Sequence, residues 1–217
     1  HEVSLQSAQN ILQAIDRERF DVVEIKIEKN GNFDTELLKK IDVAFPIIHG
    51  TYGEDGTLQG MLEMFDIPYV GANVLGSAIA MDKDIAKRLM RDAGLPIPKF
   101  VTMKRSDLKE VPRSDLTELG WPVFVKPANA GSSVGVTKVK NAEEFSKALE
   151  LAFRFDSKAM VEEYIEGREI DVAVMGYDQL RAAGPAEILT THEFYDYEAK
   201  YEDETTKIQI PADVGAS

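Results

Sequence analysis

The stretch VKPANAGSSVGV, residues 125–136, joins the end of an apolar strand to a lysine, a loop of small residues and the start of a second strand. Small residues let backbone N–H groups converge on an anion, and Ser132 and Ser133 add hydroxyl donors. Lys126 would add a point charge worth roughly 1 kcal/mol at 4 Å in water and about 4 kcal/mol at an effective dielectric constant of 20. The Gly-Lys-Ser/Thr ending of a Walker A loop is absent, and a strand follows where that loop would open a helix. The stretch therefore predicts either a phosphate-binding loop or an ordinary flexible hairpin turn.

The residues around this loop predict a layer in which one helix covers an antiparallel sheet. The helix is predicted at residues 142–155, and the strands are predicted at residues 121–126, 135–139, 159–165 and 170–177. Residues 106–119 are predicted to form a polar connection with short helical turns. Residues 190–212 are polar, tyrosine-rich and aperiodic, and a loop of that length is usually functional or disordered.

The first 71 residues predict a parallel α/β unit, because helical and strand-like segments alternate. Helices are predicted at residues 3–15 and 56–65, and strands at residues 20–27, 41–48 and 67–70. Asn73 is predicted to cap a long helix that runs to residue 93, where Gly94 and Pro96 end it.

Composition narrows the classes of partner. The chain has 217 residues and a net charge of −13, which argues against nucleic acid and anionic membranes as partners, since both require a basic surface. No cysteine is present, so disulfides and thiolate metal sites are excluded. No apolar run approaches the roughly 20 residues of a membrane span. We expect a cytoplasmic protein, in which any bound polyanion meets locally concentrated cations.

Two motifs in the first half of the chain carry polar groups. Residues 49–56, HGTYGEDG, follow an apolar strand and open a helix, where ligands of α/β sheets commonly bind. His49 could donate a hydrogen bond to a substrate carboxylate there, or it could bond only to its own loop. Lys83 and Lys87 share one face of a helix, which by itself is typical of a solvated lysine stripe.

Two motifs in the second half are equally ambiguous when each is taken alone. Residues 161–169, VEEYIEGRE, could bind a purine edge and a ribose, or they could be a charged hairpin connection. Residues 194–201, FYDYEAKY, place aromatic side chains in a polar loop, which is typical of a lid that closes over a ligand. A disordered loop or a packing contact is the alternative.

In their order and wording these motifs closely resemble D-alanine–D-alanine ligase, within the ATP-grasp superfamily. The resemblance runs from Glu2 to about Pro211, and residues 49–60 and 194–201 are specific to the ligase within that superfamily. It implies an N-terminal α/β substrate domain at residues 1–71 and a central ATP-grasp subdomain at residues 72–162. Residues 163–217 would begin the C-terminal ATP-grasp domain, including the lid.

The resemblance also implies roles for individual residues. Glu2 would bind the ammonium group of the first D-alanine. Ser132 and Tyr201 would join Glu2 in a hydrogen-bonded triad beside the substrates. His49 would lie near the transferring groups. The implied ATP-binding residues are Lys83, Lys126 and Lys200 on the phosphates, Ser132 and Ser133 in the loop, and Glu162, Glu163, Tyr164, Ile165, Glu169 and Phe194 around adenine and ribose.

The implied reaction has two steps and serves peptidoglycan precursor synthesis. The carboxylate of one D-alanine attacks the γ-phosphate of ATP, which gives an acyl phosphate and ADP. The amine of a second D-alanine then attacks that acyl phosphate, which releases phosphate and the dipeptide. Catalysis of this kind is mainly positioning and charge neutralisation. A closing lid that carries Lys200 and Tyr201 would keep water from the acyl phosphate.

The sequence departs from the family at both ends. The strand and glycine-rich turn that precede Glu2 in the family are absent, and the family's Mg²⁺ ligands are expected beyond residue 217. We therefore expect this polypeptide either to be inactive alone or to be part of a longer chain. The resemblance further implies ATP and D-alanine as ligands and a homodimer.

Other functions remain open from the sequence. A D-alanine–D-lactate ligase is the nearest alternative, although the hydroxyl of Tyr201 favours the dipeptide over the depsipeptide. A different ATP-grasp ligase is less favoured, because the match of residues 194–201 to the D-alanine–D-alanine ligase motif would then be a coincidence. A non-catalytic nucleotide-binding module would bind ATP without any dependence on D-alanine.

Overall fold

The computed structural model describes residues 2–107, 116, 118–195, 199–200, 203 and 205–215. The chain divides into two compact units. Unit 1 consists of His1–Ile97 and Ala128–Gly131, and unit 2 consists of Pro98–Pro127 and Ser132–Ser217. The three-domain division drawn from the resemblance stays a prediction.

Helices dominate the described part of unit 1. They are α1 at Glu2–Ala14, a 3₁₀ helix at Thr35–Lys40, α2 at Thr57–Met64, α3 at Val74–Met81 and α4 at Lys83–Asp92. Helices α1 and α2 lie within a residue of their predicted bounds, as expected where apolar residues recur at helical spacing. Leu38, Leu62 and Ile67 form the small buried core of this unit.

The strands predicted for unit 1 are wrong in extent. Residues 20–27 form no strand, and residues 41–48 and 67–70 contribute one parallel bridge, between Ala44 and Tyr69. The Ala44 N–H donates to the Pro68 carbonyl at 2.8 Å, and the Val70 N–H donates to the Ala44 carbonyl at 2.9 Å. A segment with an apolar or alternating pattern becomes a strand only if a neighbouring segment forms ladder hydrogen bonds with it. For residues 41–48 and 67–70, that pairing is limited to the bridge between Ala44 and Tyr69.

The predicted long helix of residues 73–93 is interrupted at Asp82. Asn73 caps α3 as expected, because its side chain accepts the Gly76 N–H. The Asp82 side chain accepts the N–H groups of Asp84 and Ile85, so it acts as an N-cap and starts a second helix. An aspartate inside an apolar periodic segment is therefore the signal that separates α3 from α4.

Unit 2 is built on a four-stranded antiparallel sheet. Its strands are β1 at Phe100–Lys104, β2 at Val123–Pro127, β3 at Thr137–Val139 and β4 at Lys158–Glu163, in the order β1-β4-β2-β3. The antiparallel layer was predicted, but strand β1 takes the place in it of the strand predicted at residues 170–177. Helix α5, at Ala142–Phe155, has the predicted bounds, and Asn141 caps it through the N–H groups of Glu143 and Glu144. A 3₁₀ helix lies at Arg105–Asp107, and most of the predicted polar connection after it is outside the described residues.

The two faces of this sheet differ in chemistry, since neighbouring side chains on a strand point to opposite faces. Val123 and Val125 of β2 belong to a buried cluster with Val161 of β4 and with Leu149 and Phe153 of α5. Phe124 and Lys126 alternate with these valines and lie on the opposite face. The helix therefore covers one face of the sheet, and the other face carries polar and aromatic groups.

The remaining strands form two smaller antiparallel sheets. One has the order β5-β8-β9, with β5 at Glu169–Asp171, β8 at Ala186–Leu189 and β9 at Lys207–Gln209; the other pairs β6 at Val174–Met175 with β7 at Arg181–Ala182. The strand predicted at residues 170–177 is therefore two strands with different partners, and β9 lies in the segment predicted to be a loop. Among the described residues, no helix is long and apolar enough to cross a membrane.

Candidate active site

A row of charged and aromatic side chains crosses the face of the unit 2 sheet opposite α5. In the strand register Phe124 lies between Lys138 of β3 and Glu162 of β4. Directly opposed residues on adjacent strands have neighbouring side chains on one face. Antiparallel pairing therefore places a cation, an aromatic ring and a carboxylate side by side, although 38 chain positions separate Phe124 from Glu162.

Lys126 and Glu162 form an ion pair on this face. The Lys126 Nζ lies 2.8 Å from Glu162 Oε1, and the side chains are only 17% and 10% exposed. The Lys126 Nζ is also 5.6 Å from the centre of the Phe124 ring. Burial weakens the screening of this pair by water and salt, so the attraction between the two charges is stronger than at an exposed site. A phosphate that binds Lys126 would compete with Glu162 for the same cation.

Three aromatic rings gather at the same place. The Phe124 ring is 5.2 Å from the Phe194 ring in an edge-to-face arrangement and 6.1 Å from the Tyr164 ring. The Lys138 Nζ lies 3.9 Å from the centre of the Tyr164 ring. Rings in such geometries attract one another and attract cations, and their flat apolar faces suit a purine base.

Glu193 is held by two lysines. Its Oε1 lies 3.1 Å from the Lys138 Nζ and 3.2 Å from the Lys140 Nζ. Hydrogen bonds from Lys138 and then Lys140 lower the pKa of the Glu193 carboxyl below its ordinary value. Glu193 thus ties the start of the predicted lid to β3 beside Phe194.

The glycine- and serine-rich loop has a strained backbone. Ser132 and Ser133 have φ angles of +52° and +58°, in the left-handed region that residues other than glycine rarely adopt. Gly135 has a φ of +71°, and an added Cβ there would lie 2.6 Å from the Phe155 ring. The Ser133 hydroxyl donates to the Tyr195 carbonyl at 3.0 Å. Strain retained in this way is often found at ligand-binding loops.

Two predicted lid residues can be compared with the structure only in part. The Lys200 Nζ lies 4.9 Å from the centre of the Tyr195 ring. Tyr201, assigned to the substrate triad, lies outside the described residues, as do residues 196–198. The triad of Glu2, Ser132 and Tyr201 therefore stays a prediction.

Several residues of the acidic motif at 161–169 make structural contacts. Glu163 accepts the Lys99 N–H through Oε1 at 2.7 Å, so that carboxylate fixes the start of β1. Ile165 is 59% exposed, and Glu169 begins β5 with an exposed side chain. Arg168 donates to both carboxylate oxygens of Glu187 and to the Asp213 carbonyl. The arginine of this motif therefore ties β8 to the chain after β9.

Unit 1 holds the other predicted residues. Glu2 begins α1 and pairs with Lys29, whose Nζ lies 2.6 Å from Glu2 Oε1. The hydrogen bond from Lys29 is the largest of the effects that lower the pKa of the Glu2 carboxyl. Lys29 is an ammonium group on the carboxylate that the resemblance assigns to a substrate ammonium, so a bound amino acid would have to replace it.

Lys83 meets the first part of the small-residue loop within unit 1. Its N–H donates to the Ala128 carbonyl at 3.0 Å, and its Nζ donates to the Ala130 carbonyl. Lys83 therefore lies beside the first residues of the loop that is predicted to bind phosphate.

His49 is contacted by side chains from α1 and from its own loop. The Ser7 Oγ lies 2.9 Å from His49 Nε2, and the Ser4 Oγ accepts the His49 N–H at 3.1 Å. Glu54 accepts the Gly50 N–H through Oε2, while its Oε1 lies 3.8 Å from His49 Nδ1. His49 therefore contacts helix α1 as well as its own loop.

Asp55 holds the turn that follows His49. Its carboxylate accepts the N–H groups of Tyr52 at 2.8 Å and Thr57 at 3.0 Å, and Tyr52 has a φ of +70°. Burial alone would raise the pKa of the Asp55 carboxyl, but the hydrogen bonds from Tyr52 and Thr57 outweigh burial and lower that pKa below its ordinary value.

Asp55→Asn is therefore expected to destabilise unit 1 in a pH-dependent way. A lowered pKa in the folded state means that ionised Asp55 stabilises the fold above its unfolded pKa, and that this contribution is lost as the pH falls through the folded value. Urea unfolding of the unaltered chain and of Asp55→Asn, at about pH 6 and at about pH 3, measures this contribution to the unfolding free energy. The difference in unfolding free energy should shrink at the lower pH, and an equal difference at both pH values would contradict this account.

Sequence reasoning did not single out several residues that contact the predicted ones, either directly or, for Glu193, through Lys138. They are Ser4, Ser7, Lys29, Glu54, Lys138 and Glu193. Each lies far along the chain from its partner or in a motif of common residue types, so only pairing in the folded chain identifies it. Among the described residues, no group of three or more histidine, aspartate or glutamate side chains could hold a metal ion.

Comparison with known proteins finds one family over most of the chain. Residues 32–72 match the profile described as D-ala D-ala ligase N-terminus, and residues 89–217 match D-ala D-ala ligase C-terminus. The chain is 48% identical to a D-alanine–D-alanine ligase of Oceanobacillus iheyensis, over 98% of this chain and 70% of that protein. It is 44% identical to D-alanine–D-alanine ligase A of Escherichia coli, with the same coverage of both proteins.

Solved structures of similar fold carry the same kind of name. VanG D-Ala:D-Ser ligase from Enterococcus faecalis has a TM-score of 0.86 and 37% identity, over 100% of this chain and 74% of that one. D-alanine–D-alanine ligase from Bacillus anthracis complexed with ATP has a TM-score of 0.79 and 31% identity, over 96% of this chain and 65% of that one. The fold of the chain is therefore similar to that of solved structures of ligases.

Proposed function

The chain belongs to the D-alanine–D-alanine ligase family, and from this premise we propose that it uses ATP to join two D-alanines through an acyl phosphate. The dipeptide would enter peptidoglycan precursor synthesis. The fold is the mixed α/β and antiparallel ATP-grasp architecture that the resemblance implied.

One observation carries the assignment of unit 2 to ATP. Residues that the resemblance assigned to the nucleotide come from separate segments and lie around a single ring, Phe124. Lys126 and Glu162 pair at 2.8 Å, and Phe194 and Tyr164 lie 5.2 and 6.1 Å from that ring, centre to centre. A cation for a phosphate beside flat apolar surfaces for a base is the combination that a nucleotide requires. In a chain of net charge −13, that local cation is necessary.

The residues of unit 1 suit the amino-acid substrate. Glu2 already binds an ammonium group, that of Lys29, at 2.6 Å. A D-alanine ammonium would take the place of Lys29 and so align its carboxylate for attack. Lys83 beside the carbonyls of Ala128 and Ala130 would neutralise phosphate charge near that carboxylate.

Magnesium, the homodimer and a cytoplasmic location are proposed from the family resemblance alone. The described residues do not provide a metal-binding cluster. Light scattering during size-exclusion chromatography tests the homodimer.

Phosphate release from MgATP in the presence of D-alanine is the experiment that tests the function, with D-lactate and D-serine as comparisons. Release that requires D-alanine would support the proposal, and it would contradict the expectation that this polypeptide alone is inactive. Equal release with D-lactate would favour the depsipeptide ligase.

If no phosphate is released, ATP binding decides. We expect a ligase that uses both substrates to couple their binding, and such coupling is reciprocal. A lower Kd for ATP in the presence of D-alanine, lost in Glu2→Gln, would support the proposal without turnover. ATP binding that ignores D-alanine, or no ATP binding at all, would overturn it, and the former would favour a non-catalytic nucleotide-binding module.

A further inference from the structure

The ring of His49 has a polar partner at each nitrogen, and both partners belong to unit 1. Nε2 is 2.9 Å from the Ser7 hydroxyl oxygen, which is hydrogen-bond distance. Nδ1 is 3.8 Å from Glu54 Oε1, which is close enough for electrostatic interaction but too long for a hydrogen bond. The Ser7 hydroxyl can donate or accept a hydrogen bond, whereas an ionised Glu54 carboxylate can only accept one. This difference determines which ring nitrogen of a neutral imidazole carries the proton.

Glu54 favours a proton on Nδ1. An ionised carboxylate only accepts hydrogen bonds, so a lone pair on Nδ1 would face a negative charge, whereas an N–H would face it favourably. A neutral imidazole with its proton on Nδ1 has its lone pair on Nε2. The Ser7 hydroxyl can donate to that lone pair, since a hydroxyl rotates to suit its partner.

We infer that Ser7 is a positioning residue that holds His49 as the neutral Nδ1–H tautomer. For its relevance to ligation this inference rests on the proposed function, but the state of the ring follows from unit 1 alone. The partner of one ring nitrogen sets the tautomer at the other, so Ser7 and Glu54 act on the same choice.

Helix α1 also fixes the backbone that carries the ring. Ser4 and Ser7 are three residues apart and therefore share one face of α1. The Ser4 Oγ accepts the His49 N–H at 3.1 Å, and Glu54 accepts the N–H of Gly50. Two serines on the helix that begins with Glu2 thus set both the backbone and the ring of His49.

The tautomer determines what His49 can do for a substrate. With its lone pair bound by Ser7, Nε2 is not available as a base. The Nδ1–H has no short acceptor in Glu54, because 3.8 Å separates Nδ1 from Oε1. His49 would therefore act as a neutral hydrogen-bond donor through Nδ1, and the matching group is an anionic oxygen of a carboxylate or a phosphoryl group.

Two-bond ¹H–¹⁵N correlation spectra of the full chain test this inference, because they distinguish the two neutral tautomers from the doubly protonated ring. The chain has three histidines, and His49→Gln assigns the His49 signals by their loss. At about pH 8, where an ordinary imidazole is neutral, His49 is expected to show the Nδ1–H pattern. The Nε2–H or the doubly protonated pattern in the unaltered chain would overturn the inference.

Variants of α1 isolate the hydroxyl. Ser7→Ala is expected to raise the share of the Nε2–H tautomer, because only Glu54 then favours a proton on Nδ1. Ser7→Thr, which keeps the hydroxyl, should return that share to the level of the unaltered chain. Alanine is a better helix former than serine, so loss of α1 would not be the cause. Gln9→Ala, on an exposed position of the same helix, should leave the pattern unchanged. An unchanged pattern in Ser7→Ala would overturn the role of Ser7.

Failure of this inference and failure of the proposed function are separate results. The spectra require neither ATP nor turnover, so a Nδ1–H pattern without D-alanine-dependent ATP binding would contradict only the ligase. D-alanine-dependent phosphate release with an Nε2–H pattern would contradict only the positioning by Ser7.

Discussion

Lys126→Met is expected to lower the unfolding free energy of unit 2 by about 3–5 kcal/mol. The variant leaves the Glu162 carboxylate, only 10% exposed, without the ammonium that lies 2.8 Å from it. A buried charge that loses its counter-ion is costly, because water cannot replace the lost partner. Urea unfolding followed by the fluorescence of Trp121, the one tryptophan of the chain, reports on unit 2, since that ring packs 6.2 Å from the Phe145 ring.

The double variant Lys126→Met with Glu162→Gln is the matched control. It removes both charges, so neither remains buried, and most of the lost stability should return. A single variant within about 1 kcal/mol of the unaltered chain would mean that water screens the pair, and it would contradict this account.

The same two variants separate stability from ATP binding. If Lys126 contacts a phosphate, both variants should raise the Kd for ATP by about tenfold or more, because a cation at about 4 Å is worth roughly 1–4 kcal/mol. Restored stability with weakened ATP binding in the double variant is the expected combination. Normal ATP affinity in the double variant would contradict the phosphate contact.

Gly53→Ala is the second change with a large expected effect, a loss of about 2–4 kcal/mol in the unfolding free energy of unit 1. An added Cβ would lie 2.3 Å from the Ile48 carbonyl oxygen and 2.5 Å from its Cγ2. Backbone cannot rotate away as a flexible side chain can, so the loop after His49 must move. That movement would also stretch the buried hydrogen bond of 2.9 Å from Gln59 Nε2 to the Gly53 carbonyl.

Gly60→Ala tests whether crowding, rather than the loss of a glycine, is responsible. Gly60 lies inside α2, and the nearest atom to an added Cβ there is Val74 Cγ2 at 3.8 Å, an ordinary contact. Alanine should therefore stabilise the helix by about 0.5–1 kcal/mol. Far-UV circular dichroism during urea unfolding measures both variants, and equal effects of the same sign would contradict the steric argument.

The helices were predictable from the sequence because their signals are local. Helix α5 has the predicted bounds of residues 142–155, and α1 and α2 differ by about one residue at each end. Periodic apolar residues and a side-chain cap act within a few positions of each other, so neither needs knowledge of the rest of the chain. Helical periodicity does not predict the break at Asp82, because the apolar pattern continues across the position at which its side chain caps a new helix.

Strands were less predictable because their stability depends on a neighbour. Residues 20–27 alternate in the way a strand does and still form none, whereas β9 forms in a segment with no period. Strand β9 exists because Ile208 pairs with Ile188 of β8. Ladder hydrogen bonds join residues far apart in sequence, and a short window of sequence does not contain both partners.

The sequence by itself determined the family, the helices, the antiparallel character of unit 2 and the types of residue available for ATP and D-alanine. Only the tertiary structure decided which charged or polar side chains form pairs: Lys126 with Glu162, Lys29 with Glu2, and Ser7 with His49. Those pairs are separated by 36, 27 and 42 positions along the chain. Motifs and helices arise from interactions between near neighbours, whereas the partner of a charged or polar side chain is set by the packing of the whole unit.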